Sequence, residues 1–145
     1  MLIGLAVSAA HHKEIAIKDE KPFVLIARLH SLSEKSAEVV ALSDAADKAV
    51  EAGEPGMLLH IFDHNPNDEL GFFWTEVFEN SSALEFHFQN PSLVKYLGDV
   101  SPFLDSFTIE LYGEVSESAV NMLRATGTPT KHYDTELGFI RDLTP

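Results

Sequence analysis

Apolar runs separated by turn-forming residues divide the chain into a few regular elements. Runs of aliphatic, β-branched and aromatic side chains predict strands at 22–30, 57–63, 72–78 and 107–115. Between the first two runs, apolar residues recur at helical spacing, which predicts a helix with Ser33 as its N-cap and Gly53 as its end. Its predicted apolar face consists of Val39, Leu42, Ala46, Ala49 and Val50. The polar stretch 64–71 predicts a hairpin loop.

A second helix follows the third strand in the stretch FENSSALEFHFQNP, residues 78–91. Asn80 or Ser82 is the predicted cap, and Ser82 has capping-box spacing to Glu85. Pro91 interrupts the helix, which continues for another turn or two. The order βαββαβ predicts an α+β fold of the ferredoxin-like type, in which helices cover one face of a four-stranded antiparallel sheet.

Two segments flank this unit. Residues 1–20 begin with a short apolar run that no positive charge precedes, so we interpret them as an N-terminal arm, with a shortened signal peptide as the alternative. Residues 21–115 form the predicted domain. Residues 116–145 are predicted to be a helix that ends at Gly127 and a docking tail. The tail carries Tyr133, Leu137, Phe139 and Ile140, side chains that a mobile segment would not need.

Composition narrows the classes of partner. A chain of 145 residues is long enough for one domain with its own core. The net charge of −13 repels phosphate backbones and anionic lipids, so we expect neither nucleic acid nor a membrane as a partner. The chain has no cysteine, which excludes disulfides, thiol catalysis and iron–sulfur clusters. This composition fits a reducing compartment, and we expect a cytoplasmic protein.

Strand alternation places the candidate functional side chains in two groups. On the third strand it puts Phe72, Trp74, Glu76 and Phe78 on one face, and on the second it puts Leu58, His60 and Phe62 together. His87 shares a helix face with apolar residues and is predicted to point toward the sheet. Each side chain also has a structural interpretation: a bonded core histidine, a core tryptophan, or a buried carboxylate that fixes a dimer.

A metal or nucleotide site is not predicted. His60 and His64 would share a strand face about 13 Å apart, too far for one ion. The eight glycines form no phosphate-binding or dinucleotide-binding motif. We therefore expect no metal and no cofactor.

Three stretches resemble the antibiotic biosynthesis monooxygenase family. They are PFVLIARLHS, EPGMLLHIFD and, most specifically, WTEVFENSSALEFHFQNPSL, and the resemblance covers about residues 21–115. In that family, a strand ending in Glu-x-aromatic leads to a helix with Ala-x-x-x-His and a proline soon after. The resemblance implies a dimeric α/β barrel, with a pocket between sheet and helices in each protomer. Members of the family include cofactor-free oxygenases, haem-degrading enzymes and a small-molecule isomerase.

The function that this resemblance implies is a cofactor-independent monooxygenase acting on a small aromatic or quinol-type substrate. Such an enzyme needs an apolar pocket, a base and donors for an oxyanion. The predicted catalytic residues are His87, Trp74 and His60. The predicted substrate-binding residues are Arg28, Phe72, Glu76 and Phe86. Arg28 and His30 could instead be solvated or pair with the acidic surface.

Two other functions remain open. One is a non-catalytic dimer that binds a small apolar or aromatic ligand or a partner protein. The other is a haem-binding or haem-degrading relative, against which stands the lack of asparagine in PFVLIARLHS. In each case the uncovered face of the sheet predicts a homodimer burying more than ~1,000 Å². We expect that face to draw from Phe73, Ile61, Leu25 and Ile109 or their alternates.

Overall fold

The computed structural model describes residues 21–141, which fold as an α+β unit with helices on one face of a sheet. The strands are β1 (Phe23–Ser31), β2 (Met57–His64), β3 (Gly71–Phe78), β4 (Leu104–Tyr112) and β5 (Thr130–Tyr133). The helices are α1 (Ser36–Gly53), α2 (Ser81–Gln89), α3 (Pro91–Val100) and α4 (Glu117–Ala125). The predicted ferredoxin-like α+β fold is confirmed, whereas the predicted arm at 1–20 lies outside the described residues. No helix in residues 21–141 is long and apolar enough to cross a membrane.

The sheet has five strands in the order β2-β3-β1-β4-β5, so the prediction of four strands was wrong. The first four are antiparallel, and β5 pairs in parallel with the last four residues of β4. The fifth strand comes from the tail, after α4 and a turn at Gly127, where φ is +80°. The Tyr133 ring stacks on Tyr112 at 4.9 Å between centroids, and His132 Nε2 lies 2.8 Å from the Gly113 carbonyl oxygen. An extended segment thus covers the edge of β4 through backbone pairing.

Helix boundaries follow local capping chemistry. Asn80 caps α2 by accepting a hydrogen bond from the Ala83 N–H, and Asn90 caps α3 through the Ser92 N–H. Pro91 occupies the first turn of α3, where a missing N–H costs nothing. The predicted Ser33 cap is wrong, because residues 32–35 form a turn and α1 begins at Ser36 without a side-chain cap.

The core lies between the helices and one face of the sheet. Leu25, Phe78 and Leu111 on the strands are fully buried, as are Val39 on α1 and Leu84 on α2. Leu25 and Ile109, which were predicted for the open face, are 0% and 1% exposed on this inner side. Because successive residues of a strand point to opposite faces, the residues that precede and follow Leu25 and Ile109 lie on the other face of the sheet.

The opposite face of the sheet, which we call the open face, carries no helix among the described residues. It presents mostly apolar side chains, of which Ile61 is 46% exposed. The face consists of Val24, Ile26, Arg28, Leu59, Ile61, Phe73, Thr75, Val77, Thr108 and Glu110. Leu58, which was predicted to share a face with His60, lies at an irregularity where the β2–β3 register shifts between Met57 and Leu59. An open groove of about 1380 Å³ separates one end of this face from residues 133–141.

Candidate active site

The inner face of β2 and β3 brings together most of the predicted site residues. His60 on β2 lies opposite Glu76 on β3, and Phe62 lies opposite Trp74. His87 reaches the same place from α2, with its ring centroid 6.3 Å from that of His60. The structure thus brings His60, Trp74, Glu76 and His87 together in one cluster; their spacing had predicted a shared face for Trp74 and Glu76 and a His87 side chain that points toward the sheet.

These residues form an alternating series of carboxylates and imidazoles, Asp47–His60–Glu76–His87–Glu54, which we call the carboxylate–imidazole chain. His60 Nδ1 is 2.7 Å from Asp47 Oδ1, and its Nε2 is 3.6 Å from Glu76 Oε1. His87 Nε2 is 4.0 Å from Glu76 Oε2, and its Nδ1 is 2.7 Å from Glu54 Oε2. Each imidazole therefore has a carboxylate at both ring nitrogens.

The chain runs from the surface into the interior. The Asp47 side chain is 45% exposed and that of His60 is 9% exposed, whereas Glu76, His87 and Glu54 are each 5% or less. Glu54 Oε1 also accepts a hydrogen bond of 3.0 Å from the Asn90 side-chain amide. Among the described residues, Glu76 Oε2 is a buried side-chain oxygen without a hydrogen-bond partner. An oxygen of this kind in a native structure calls for an explanation.

Trp74 forms one wall of the cluster. Its ring stacks on His60 with 4.0 Å between centroids, and its N–H donates a hydrogen bond of 3.2 Å to the Tyr96 hydroxyl. The Tyr96 oxygen is also 2.8 Å from the Ser43 hydroxyl. Burial is the main cause that raises the pKa of Tyr96 above its ordinary value. Tyr96 is therefore held as a neutral phenol at neutral pH.

His60 is a titratable group with a raised pKa. Burial acts to lower the pKa of His60, but hydrogen bonding and attraction to Glu76, and then to Asp47, outweigh it. The net pKa lies above the ordinary value of a histidine. A protonated imidazole held between carboxylates can donate a hydrogen bond to an oxyanion and can exchange a proton near neutral pH.

A cleft of about 390 Å³ opens beside this chain, between the last turns of α1 and the start of β2. Its volume lies at the lower end of the range for small-molecule pockets. His60, Asp47, Glu51 and Glu54 contribute to its lining, together with Val50, Pro55, Met57, Leu58 and Leu59. We predicted a pocket between sheet and helices, and this cleft lies at the outer strand of the described sheet, where α1 and β2 meet.

Three other predicted residues lie in different places. Phe72 is buried at the far end of the same face, with its ring 5.3 Å from Phe62. Arg28 lies on the open face, where its Nε donates a 2.8 Å hydrogen bond to Glu110 Oε1. Phe86 projects outward from α2 and is 53% exposed. The fold therefore brings neither Arg28 nor Phe86 to the carboxylate–imidazole chain.

Sequence reasoning missed Asp47, Glu54 and Asn90. Asp47 and Glu54 lie at seven-residue spacing near the end of a helix, where acidic residues ordinarily face water. A signal existed for Glu54, because it follows Gly53 directly and precedes a proline, so its backbone had to leave the helix. Only the packing of α1 against β2 and α3 places the Glu54 carboxylate where it meets His87.

The carboxylate–imidazole chain contains several side chains of the types that bind metal ions. Within residues 21–141, no group of three or more histidine, aspartate and glutamate side chains is arranged to hold an ion. The carboxylate–imidazole chain is linear, so its oxygen and nitrogen atoms do not converge on one point.

The fold and the inner cluster define a ferredoxin-like α+β protein with a histidine–carboxylate site. Residues 22–97, more than half of the chain, match the family model described as antibiotic biosynthesis monooxygenase. The chain therefore belongs to the antibiotic biosynthesis monooxygenase family. No curated protein is significantly similar to it in sequence.

Solved structures share the fold at low sequence identity. A candidate antibiotic biosynthesis monooxygenase from Caulobacter crescentus CB15 has a TM-score of 0.63 and 20% identity, covering 74% of this chain and 99% of that one. Rv0793 from Mycobacterium tuberculosis has a TM-score of 0.60 and 19% identity over 68% and 99%. MupZ from Pseudomonas fluorescens has a TM-score of 0.68 and 13% identity over 86% and 98%. The match to MupZ covers more of this chain than residues 22–97 contain. The shared fold therefore includes elements that follow residue 97.

Proposed function

We propose that this protein is a cofactor-independent monooxygenase that oxidises a small aromatic or quinol-type substrate in the cleft beside His60. The single observation that carries the proposal is the position of His60. It lines the cleft, stacks on Trp74 and is held by carboxylates at both ring nitrogens. Membership of a family described as monooxygenases supports the reaction class.

The proposed reaction converts an activated methylene group and dioxygen to a carbonyl group and water. A proton leaves the substrate carbon for the Asp47 carboxylate, which leaves a carbanion delocalised onto an aromatic oxygen beside protonated His60. Dioxygen adds to that carbon and the resulting peroxide takes the proton back. The remaining C–H bond and the O–O bond then break, so that a carbonyl group is left and the second oxygen departs as water with both methylene hydrogens. Carbon is oxidised and dioxygen is reduced, so atoms and electrons balance without a further reactant.

The side chains around the cleft have distinct roles in this proposal. The N–H groups of protonated His60 stabilise the substrate oxyanion, an interaction that is strong where water is excluded. The mobile partner of His60 is Asp47, since its exposed carboxylate can move aside for a substrate oxygen. Trp74 fixes the plane of the imidazole by stacking. His87 is 1% exposed, so it acts on the site through Glu76 and Glu54 rather than on the substrate.

Oxygen uptake tests the proposal directly. Purified protein is supplied with anthrones, naphthols and benzoquinols, and dioxygen consumption is followed alongside product formation. We expect turnover of at least one class and a loss of about 10²-fold or more in His60→Gln, the usual effect of removing an acid–base group. His64→Gln is the matched control, because His64 lies on the same strand with its Nε2 bonded to the Glu69 carbonyl oxygen. Equal activity in both variants would contradict the assignment.

A second candidate is a non-catalytic protein that binds a small aromatic ligand. It is favoured by the engagement of both His60 nitrogens, which leaves no free ring nitrogen for a base unless Asp47 moves. Thermal-shift measurements with the same panel separate the two functions. Stabilisation by a ligand without oxygen uptake would favour binding alone.

We further propose that two copies of the chain pair through the open face. Apolar side chains cover much of that face, and a contiguous exposed patch of this kind is unusual for a monomer. Leu137 and Phe139, which are 89% and 78% exposed, border the groove beside it and would pack on the second copy. The absence of cysteine supports a cytoplasmic location for the dimer.

The oligomeric state tests the pairing. We expect light scattering at micromolar concentration to give twice the 16.0 kDa mass of one chain. Ile61→Arg places a charge in the middle of the open face and should shift the mass toward one chain, whereas Val94→Arg on the exposed side of α3 should not. A wild-type mass of 16.0 kDa would overturn the proposal.

A further inference from the structure

The carboxylate–imidazole chain places two negatively charged carboxylates in the protein interior, next to two imidazoles that can compensate their charge. Glu54 and Glu76 are two carboxylates whose side chains are 2% and 5% exposed. A buried carboxylate is strongly disfavoured unless a positive charge or protonation compensates it. The nearest groups able to carry that charge, among the described residues, are His60 and His87.

The surroundings contain the other groups that could alter this balance. From α1, Asp47 and Glu51 face the same cleft, where Asp47 is half-buried and Glu51 is exposed to water. From α3, Tyr96 is held neutral by burial, and Trp74 on β3 donates its N–H to Tyr96 rather than to a carboxylate. Asn90 donates to Glu54 but carries no charge. No cation other than the two imidazoles contacts Glu54 or Glu76 among residues 21–141.

We propose that His60, Glu76, His87 and Glu54 bind two protons as one unit in the folded protein, with both imidazoles protonated and Glu76 as the shared acceptor between them. Glu76 Oε1 faces His60 Nε2 and Oε2 faces His87 Nε2, so one carboxylate lies between two N–H donors. Glu76 is then the acceptor from both sides, at Oε1 from His60 and at the otherwise unpartnered Oε2 from His87. Strongly interacting groups of this kind titrate together rather than singly.

The unit has a role in turnover that rests on the proposed function. The proton released by the substrate is held on the Asp47 carboxylate until water leaves, and the unit keeps His60 protonated so that its Nδ1–H can face the substrate oxyanion. Glu76, His87 and Glu54 do not touch the substrate in this scheme, so they are positioning and proton-holding residues. The two-proton unit itself is a property of the folded chain and can be tested without any substrate.

The test is the pH dependence of unfolding. Between about pH 5 and 6 the unfolded imidazoles are also protonated and the unfolded carboxylates are ionised, so the contribution of the unit to stability is fully present and nearly independent of pH. From about pH 7 upward, the unfolded chain has released both protons and the folded chain retains them. The unfolding equilibrium constant then rises about tenfold per pH unit for each retained proton, which is about 100-fold for two. Stability is therefore lost as the pH rises through the folded-state titration.

Two variants test how many protons the folded unit binds. Glu76→Gln removes one buried charge, so the folded unit should hold one proton and the slope should fall by a factor of about ten per pH unit relative to wild type. Glu54→Gln should give the same reduction through the other carboxylate. Glu51→Gln is the matched control, since Glu51 lines the same cleft but is exposed and outside the chain. It should retain the wild-type slope.

The outcomes separate this inference from the proposed function. A slope in Glu76→Gln and Glu54→Gln equal to that of wild type would overturn the two-proton unit, whether or not oxygen uptake is found. If neither variant folds, the wild-type slope decides, and a rise of about tenfold per pH unit or less would overturn it. Inactivity toward every oxygenase substrate together with the expected slopes would reject the reaction and leave the unit intact.

Discussion

Replacing His87 by alanine should have one of the largest effects on stability of any single change in this protein. The side chain is 1% exposed, and its Nδ1 is 2.7 Å from Glu54 Oε2. Alanine leaves Glu54 buried with only Asn90 as a side-chain partner and opens a space between Phe78 and Phe88, whose rings lie 5.5 and 5.2 Å away. Removing one member of a buried ion pair costs about 3–5 kcal/mol, which is therefore the expected loss.

Urea unfolding followed by circular dichroism at pH 7 measures this loss. The midpoint should fall while the dependence on denaturant stays constant, since the folded surface changes little. His64→Ala is the control, because an exposed histidine should change stability by less than about 0.5 kcal/mol. Glu54→Gln in the His87→Ala background should recover part of the loss by removing the unpaired charge. A loss below about 1 kcal/mol in His87→Ala would refute the buried pairing.

Three further changes test other parts of the structure. Trp74→Phe removes the N–H donor to Tyr96 and should cost about 0.5–1.5 kcal/mol in the same unfolding assay, whereas a neutral result would contradict that hydrogen bond. Arg28→Ala removes an ion pair on the open face to Glu110 and should cost less than about 1 kcal/mol, without loss of oxygen uptake; a large loss of activity would place Arg28 in the site after all. Truncation after Gly127 removes β5, exposes the β4 edge and should lower both the melting temperature and the dimer affinity; unchanged values would show that the tail contributes nothing.

Most helices and strands were predictable from the local sequence pattern, but their first and last residues were less predictable. The β1, β2 and β3 runs follow from their apolar pattern, and the start of α2 at Asn80 follows from cap chemistry, whereas the cap of α3 at Asn90 was not predicted. β4 starts three residues earlier than predicted, because Leu104 pairs with Ser31 across an irregularity in the β1 ladder. β5 was not predictable as a strand, since four residues with three charged or titratable side chains carry too little periodicity.

The site was predictable in its strand and helix components. Alternation placed Trp74 and Glu76 on one face, and helix spacing turned His87 toward it. The bulge at Leu58 and the inward turn of Glu54 depend on how α1 packs against β2, which no local pattern records. Arg28 was selected for its charge, but its odd–even position on β1 places it on the open face with Glu110.

The protonation of the two imidazoles tests the central claim most directly, because the whole site depends on a carboxylate at each ring nitrogen. Ring ¹⁵N chemical shifts of His60 and His87 can be measured at pH 7 by NMR, with His60→Gln used for assignment. The two-proton unit predicts that all four ring nitrogens of His60 and His87 carry a proton, whereas a neutral imidazole has one nitrogen without a proton. A bare nitrogen on His60 or on His87 at this pH would contradict the two-proton unit and the oxyanion role proposed for His60.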